Sequence, residues 1–161
     1  MAAKNPSIRS GAPRARHVSL VALPDAVVST LAGLYDVLNG ATSMGVLSEA
    51  PFDVQIVGEA AGPIGLASGV PMQVQRAVRD VEASDIVIVP SVLLREGRWV
   101  KGRYPTLVSW LARMHAQGAL LCSACSGIFL IAETGLFDGH DATVHFVYAK
   151  AFASVHPKVV V

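Results

Sequence analysis

Two cysteines in 161 residues are too few for a disulfide framework, and Cys122 and Cys125 stand too close together to supply a four-ligand zinc site. Charge of either sign is scarce: 16% of the residues are acidic or basic, and the formal net charge is +1. With 52% hydrophobic residues, that excludes an intrinsically disordered chain. A long apolar run is also missing. Residues 119–132 form the longest stretch, broken by Ser123, Ser126 and Gly127, and it falls short of the roughly 20 residues a membrane-spanning helix needs. The mean hydropathy of +0.49 therefore reads as core. These absences predict one soluble, cytoplasmic domain from a reducing compartment, with no metal, cofactor or membrane partner.

What charge there is lies unevenly. Residues 1–16 carry Lys4, Arg9, Arg14 and Arg16 without an acid, a charge of +4, against −3 for the remainder. This Ala-, Pro-, Ser- and Gly-rich segment has no apolar period and reads as a disordered basic tail. Pro6, Gly11 and Pro13 spoil the amphipathic helix of a transit peptide. The folded part has no basic stripe and is a poor candidate for gripping DNA by itself.

From residue 17 onward, strand and helix patterns alternate. Residues 17–23 read as a buried strand stopped by Pro24 and Asp25, and Ser29 or Thr30 as the cap of a helix bearing Leu31, Leu34, Tyr35 and Leu38. A second strand follows at 52–58, then a turn-rich stretch at 62–69 with a short strand. Residues 72–81 fit either a strand and turn or a helix. Asp85 to Pro90, with four branched aliphatics in a row, is the clearest buried strand. A charged loop at 95–103 precedes a helix with Leu107, Trp110, Leu111 and Met114 on one face. Residues 119–123 read as another buried strand, running directly into a helix at 126–134. A further helix is expected near 147–154, and a strand starts at 159–161. Such alternation predicts an α/β sandwich with a mostly parallel sheet.

The junction at 121–129, LCSACSGIF, carries the chemistry. Cys125 sits between strand and helix with Ala124 before it and Ser126-Gly127 after it. A nucleophile elbow needs small neighbours there, because the turn is tight and thrusts the nucleophile above the sheet edge. A helix start would also favour thiolate and offer N–H groups to an oxyanion. The alternative is a small core residue in a close-packed turn. Cys122, inside the strand, reads as core. His145 is the best partner for the thiol, at an apparent strand end on the side where sites in parallel sheets assemble. No role is assigned to His17, His115, His140 or His156. The glycines at 58, 62 and 65 lack the dinucleotide-binding spacing.

Taken together, LCSACSGIFLIAETGLFDGHDATVHF at 121–146 resembles the signature of the ThiJ/PfpI, or class I glutamine amidotransferase-like, superfamily. More narrowly, it resembles the version found as the N-terminal domain of AraC-type transcriptional regulators. The resemblance extends over residues 17–161 and implies a flavodoxin-like three-layer sandwich, usually dimeric, with the C-terminal part of the domain missing. An exposed strand edge is then expected, covered by a neighbouring chain. The same resemblance puts Cys125 at the elbow and His145 near it. Enzymatic relatives such as isonitrile hydratases and PfpI-type proteases carry an acid where Thr30 stands here, and protease-like relatives a His where Ser126 follows the Cys.

Both departures favour sensing over turnover. The leading expectation is a ligand-sensing and dimerisation domain of an AraC-type regulator. Its pocket would lie over Cys125, with His145, Thr30, Asp25, Ser126 and Gly127 around an unknown small-molecule effector. DNA would be bound only through a C-terminal helix-turn-helix domain that these residues do not contain. The alternatives are a small Cys-dependent hydratase or amide hydrolase using Cys125 and His145, and a redox sensor in which Cys125 is oxidised.

Overall fold

Val18, Leu20 and Val21 in the first strand are fully buried, as a strand covered on both faces requires. The computed structural model describes residues 14–161 and builds a five-stranded sheet around that strand, β1 (Arg16–Val21). The others are β2 (Phe52–Gly58), β5 (Arg76–Ala77), β6 (Ile86–Val89) and β7 (Leu120–Ser123), in the order β5-β2-β1-β6-β7. Every pairing in it is parallel, with Leu20 opposite Ile56 on one side and Ile88 on the other. β3 (Gly62–Gly65) and β4 (Pro71–Val74) form a separate antiparallel hairpin.

The chain leaves β1 toward β2 and later leaves β6 in the opposite direction. Right-handed crossovers therefore put α1 (Val28–Ser43) and α2 (Pro105–Ala116) on opposite faces of the sheet. This is the expected α/β three-layer arrangement. On α2 the four residues at helical spacing, Leu107, Trp110, Leu111 and Met114, are all buried. The short α3 (Ile128–Ala132) is buried along its whole length. α4 (Ala149–Val155) packs Phe152 edge-on against Phe129, with ring centroids 5.0 Å apart.

Several sequence expectations need correction. Residues 1–13 of the expected tail lie outside the described residues. Arg16 is already in β1, and Arg14 reaches the Asp85 carboxylate at 2.7 Å. Ser29 and Thr30 do not cap α1: the cap is Val27, without a side-chain bond, because the loop before α1 is fastened through its backbone. At 72–81 the strand-and-turn alternative holds, ending in a 3₁₀ turn at Val78–Asp80. β7 is not a buried strand. It forms an edge of the sheet, and Leu120 is 60% exposed. Among the described residues no helix is long and apolar enough to cross a membrane.

A buried histidine belongs to this core. His156 packs on Phe152 and Phe129 with centroids 4.9 and 6.2 Å away, and its Nε2 has no partner among the described residues. Burial, reinforced by the Lys101 charge, lowers its pKa to about 4. Below about pH 6.5 the unfolded chain takes up a proton that the folded chain refuses. Stability is therefore expected to be full above that pH and to fall as pH drops toward 4, by up to about 3 kcal/mol. Urea midpoints across this range measure the slope. A His156→Phe variant should lose that part of it, and an unchanged slope in the variant would refute the assignment.

Candidate functional site

The chain leaves β7 at Ser123 and turns at Cys125 with φ +48°, a left-handed conformation that costs a residue with a Cβ about 1–3 kcal/mol. Neighbouring contacts hold the turn there. The Ala124 N–H donates to the Val89 carbonyl at 2.9 Å, continuing the β6–β7 ladder one residue past the strand. Ser126, buried, clasps Val92 from both sides: its Oγ accepts from the Val92 N–H at 2.9 Å and donates to the Val92 carbonyl at 2.7 Å. Gly127 lies against the end of β6, where a Cβ would come within 2.6 Å of the Pro90 carbonyl oxygen and closer still to that of Val89. A 3₁₀ turn at Cys125–Gly127 then leads into α3. The result is an exposed thiol on a fixed turn at the carboxyl edge of the sheet. Cys122, half-buried in β7, has its thiol pKa pushed up by burial, which disfavours the reactive thiolate.

Cys125 opens onto a cavity of about 490 Å³, lined by Ser123, Ile128, Phe137, Asp141, Thr143 and His145, with Ala142 between them. The structure thus brings together the two residues paired from sequence, Cys125 and His145. It does not put His145 at a strand end: the residue lies in a loop, at the start of a 3₁₀ turn. Its Nδ1 accepts the Val147 N–H at 3.2 Å, and the ring stacks on the exposed Phe146 with centroids 4.7 Å apart. With Nδ1 occupied as acceptor, the neutral imidazole carries its proton on Nε2. The ring edge left free by this bond is a hydrogen-bond donor.

Asp25, Thr30, Ser126 and Gly127 do not line this cavity. Asp25 is buried, and its carboxylate accepts the Tyr104 hydroxyl at 2.7 Å and pairs with Arg103, while Arg95 approaches to 3.4 Å. Burial first, then the bond to Asp25, raises the Tyr104 pKa far above its ordinary value, so the phenol stays protonated and donates. The backbone around Asp25 is fastened to the same loop that Ser126 holds: Val27 N–H bonds the Ser91 carbonyl and Leu93 N–H the Asp25 carbonyl. Asp25, Ser126 and Gly127 thus form a frame behind the thiol rather than a ligand surface. Thr30 stands half-buried in the first turn of α1.

Three features escaped the sequence. Asp141 puts a carboxylate in the thiol's cavity; it lies in an aperiodic loop, and only its place four residues before His145 hinted at it. Phe137 supplies an apolar wall. Glu133, in the motif after the elbow, accepts the Trp99 indole N–H at 2.6 Å and the Gly102 N–H at 2.8 Å, which fixes the loop before α2.

Comparison with known proteins agrees with this construction. The model of the DJ-1/PfpI family matches residues 27–160. An HTH-type transcriptional regulator, CdhR of Pseudomonas aeruginosa, is 26% identical over 98 residues, 61% of this chain and 28% of the regulator's length. Among solved structures, an AraC family transcriptional regulator from Pseudomonas putida superposes with a TM-score of 0.70 at 17% identity, covering 90% of this chain and 75% of that one. A ThiJ/PfpI family protein from Pseudomonas syringae gives 0.66 at 17% identity, covering 99% and 62%. With the family match spanning most of the chain, the chain belongs to the DJ-1/PfpI family.

Proposed function

We propose that this chain is the ligand-sensing and dimerisation domain of a cytoplasmic AraC-type transcriptional regulator, whose DNA contacts belong to a separate helix-turn-helix domain. The observation that carries the reading is the state of His145. The thiol is exposed in a cavity large enough for a small metabolite, yet the imidazole beside it has its acceptor nitrogen engaged by Val147. With that nitrogen engaged, His145 is not set to take the thiol proton, and the cavity is suited to binding more than to turnover. Its polar groups, Ser123, Thr143, Asp141 and the His145 N–H, would orient an effector against the apolar wall of Ile128 and Phe137. The likeness to a regulator in sequence and to an AraC family member in fold supports the same reading. For dimerisation, the exposed Val37, Met44 and Val46 on α1 and the loop after it offer an apolar surface.

A metabolite panel in thermal unfolding tests this. A true effector raises the unfolding temperature, by the equivalent of about 2.7 kcal/mol at a hundredfold excess over its Kd. The same panel and an alkyl isonitrile and a simple amide are assayed for product. Stabilisation that survives Cys125→Ser, with no product formed, is the expected result. Product formation lost in Cys125→Ser would overturn it in favour of the Cys-dependent hydratase or hydrolase. That second reading has one specific support, the Asp141 carboxylate in the thiol's cavity, which could carry a proton.

A further inference from the structure

A second recess lies away from the thiol, between the 3₁₀ turn Val78–Asp80 and the outer side of α2, and shares no residue with the Cys125 cavity. It has a volume of about 260 Å³ and is lined by Val78, Arg79, Thr106, Ser109, Trp110 and Arg113. The four α2 residues follow helical spacing, so they form one stripe facing the turn. Every polar side chain lining it can donate a hydrogen bond: two guanidinium groups, two hydroxyls and an indole N–H.

Two of these groups have donors to spare. Arg113 is held in place by its own bonds to the Val78 and Val81 carbonyls, at 3.3 and 3.2 Å, which leave its remaining N–H groups for another partner. Trp110 is 3% exposed, and its indole N–H is buried with no acceptor among the described residues, although the group can only donate. The carboxylate beside the turn is that of Asp80, 62% exposed and no nearer than 3.8 Å to Arg79 Nε, too loose to neutralise the pair.

We propose that this recess binds a small oxyanion, with a phosphate group as the ligand chemistry. Donors converge from two elements, the turn and the helix, which suits a tetrahedral anion with several oxygens, and paired guanidiniums favour phosphate. A free phosphate or a nucleic-acid backbone would present the same group. Two guanidinium groups in one recess, with no basic stripe leading to it, suit a compact phosphate more than a polyanion, so the occupant is a small free phosphate compound. The inference is independent of the reading of the Cys125 cavity.

The chain has two tryptophans, so its two indole N–H resonances report on the site directly. The Trp99 indole is bonded to Glu133 and serves as the control. Titration of the full chain with inorganic phosphate at constant ionic strength should move the Trp110 indole proton downfield to saturation and leave Trp99 unmoved. Arg79→Gln, at an exposed side chain, should weaken that binding about tenfold, and Ser109→Ala should weaken it less. A Trp110 resonance that does not move, or moves equally with chloride or in Arg79→Gln, overturns the proposal. So does binding of a DNA duplex through these residues without any response to inorganic phosphate.

Discussion

Gly127→Ala is expected to be among the most damaging single substitutions in the chain, lowering stability by about 3 kcal/mol or more. The new methyl group would meet two backbone carbonyls, those of Val89 and Pro90, and neither belongs to a side chain that can swing away. Val89 is held by the Ala124 N–H and the next loop by the Ser126 clasp on Val92, so relief would have to break the β6–β7 connection behind Cys125. Urea unfolding should show a much lower midpoint at an unchanged m-value, and labelling should show Cys125 no longer held in its present environment. Gly33→Ala is the matched control. Gly33 lies within α1 with open space where a Cβ would go, so there the same change should stabilise by about 0.5–1 kcal/mol. A mild effect at Gly127, comparable in size to that at Gly33, would sink the close-packed elbow.

Asp25→Ala should cost about 3 kcal/mol, the low end for breaking a buried ion pair. Its removal leaves the buried Tyr104 hydroxyl without an acceptor and Arg103 without its counter-charge. Arg103 remains 33% exposed, so water relieves part of the penalty, and the far more exposed Arg95 adds little. Because Asp25 and Tyr104 share one bond, the double variant Asp25→Ala/Tyr104→Phe should cost less than the sum of its parts. Hydrogen exchange should rise in the loop at 95–103 before it rises in the sheet. If Asp25→Ala unfolds at the wild-type midpoint, the carboxylate has no such role.

The two substitutions mark where sequence reasoning stopped. Gly127 was legible as part of an elbow, because its constraint comes from its immediate neighbours: strand, small residue, thiol, small residue, helix. Asp25 is expected near the effector pocket, and the sequence around it offers its carboxylate no partner. Its partner, Arg103, is 78 residues away. Ser126, expected in the same pocket, has its hydroxyl committed to Val92, 34 residues back. Thr30 was put over the thiol by the resemblance alone, and the cavity wall there is supplied by Phe137, Asp141 and Thr143 instead.

β7 shows a different kind of limit. Its apolar run looks the same whether a strand lies inside a sheet or at its edge, and the order of strands, not the composition of one, decides which.

What the sequence determined by itself follows from local constraint. The near-absence of cysteine and of long apolar runs, the alternation of period-two and helical patterns, and the small residues around Cys125 gave the α/β class, the order of elements and the exposed thiol. Tertiary structure alone decided which side chains meet. It turned Asp25 and Ser126 inward as supports, put Asp141 beside the thiol, occupied His145 Nδ1 with a backbone N–H, and opened the donor-lined recess on α2. Those contacts join loops distant in the chain. Loops have no period, so nothing short of the folded backbone fixes where their side chains converge.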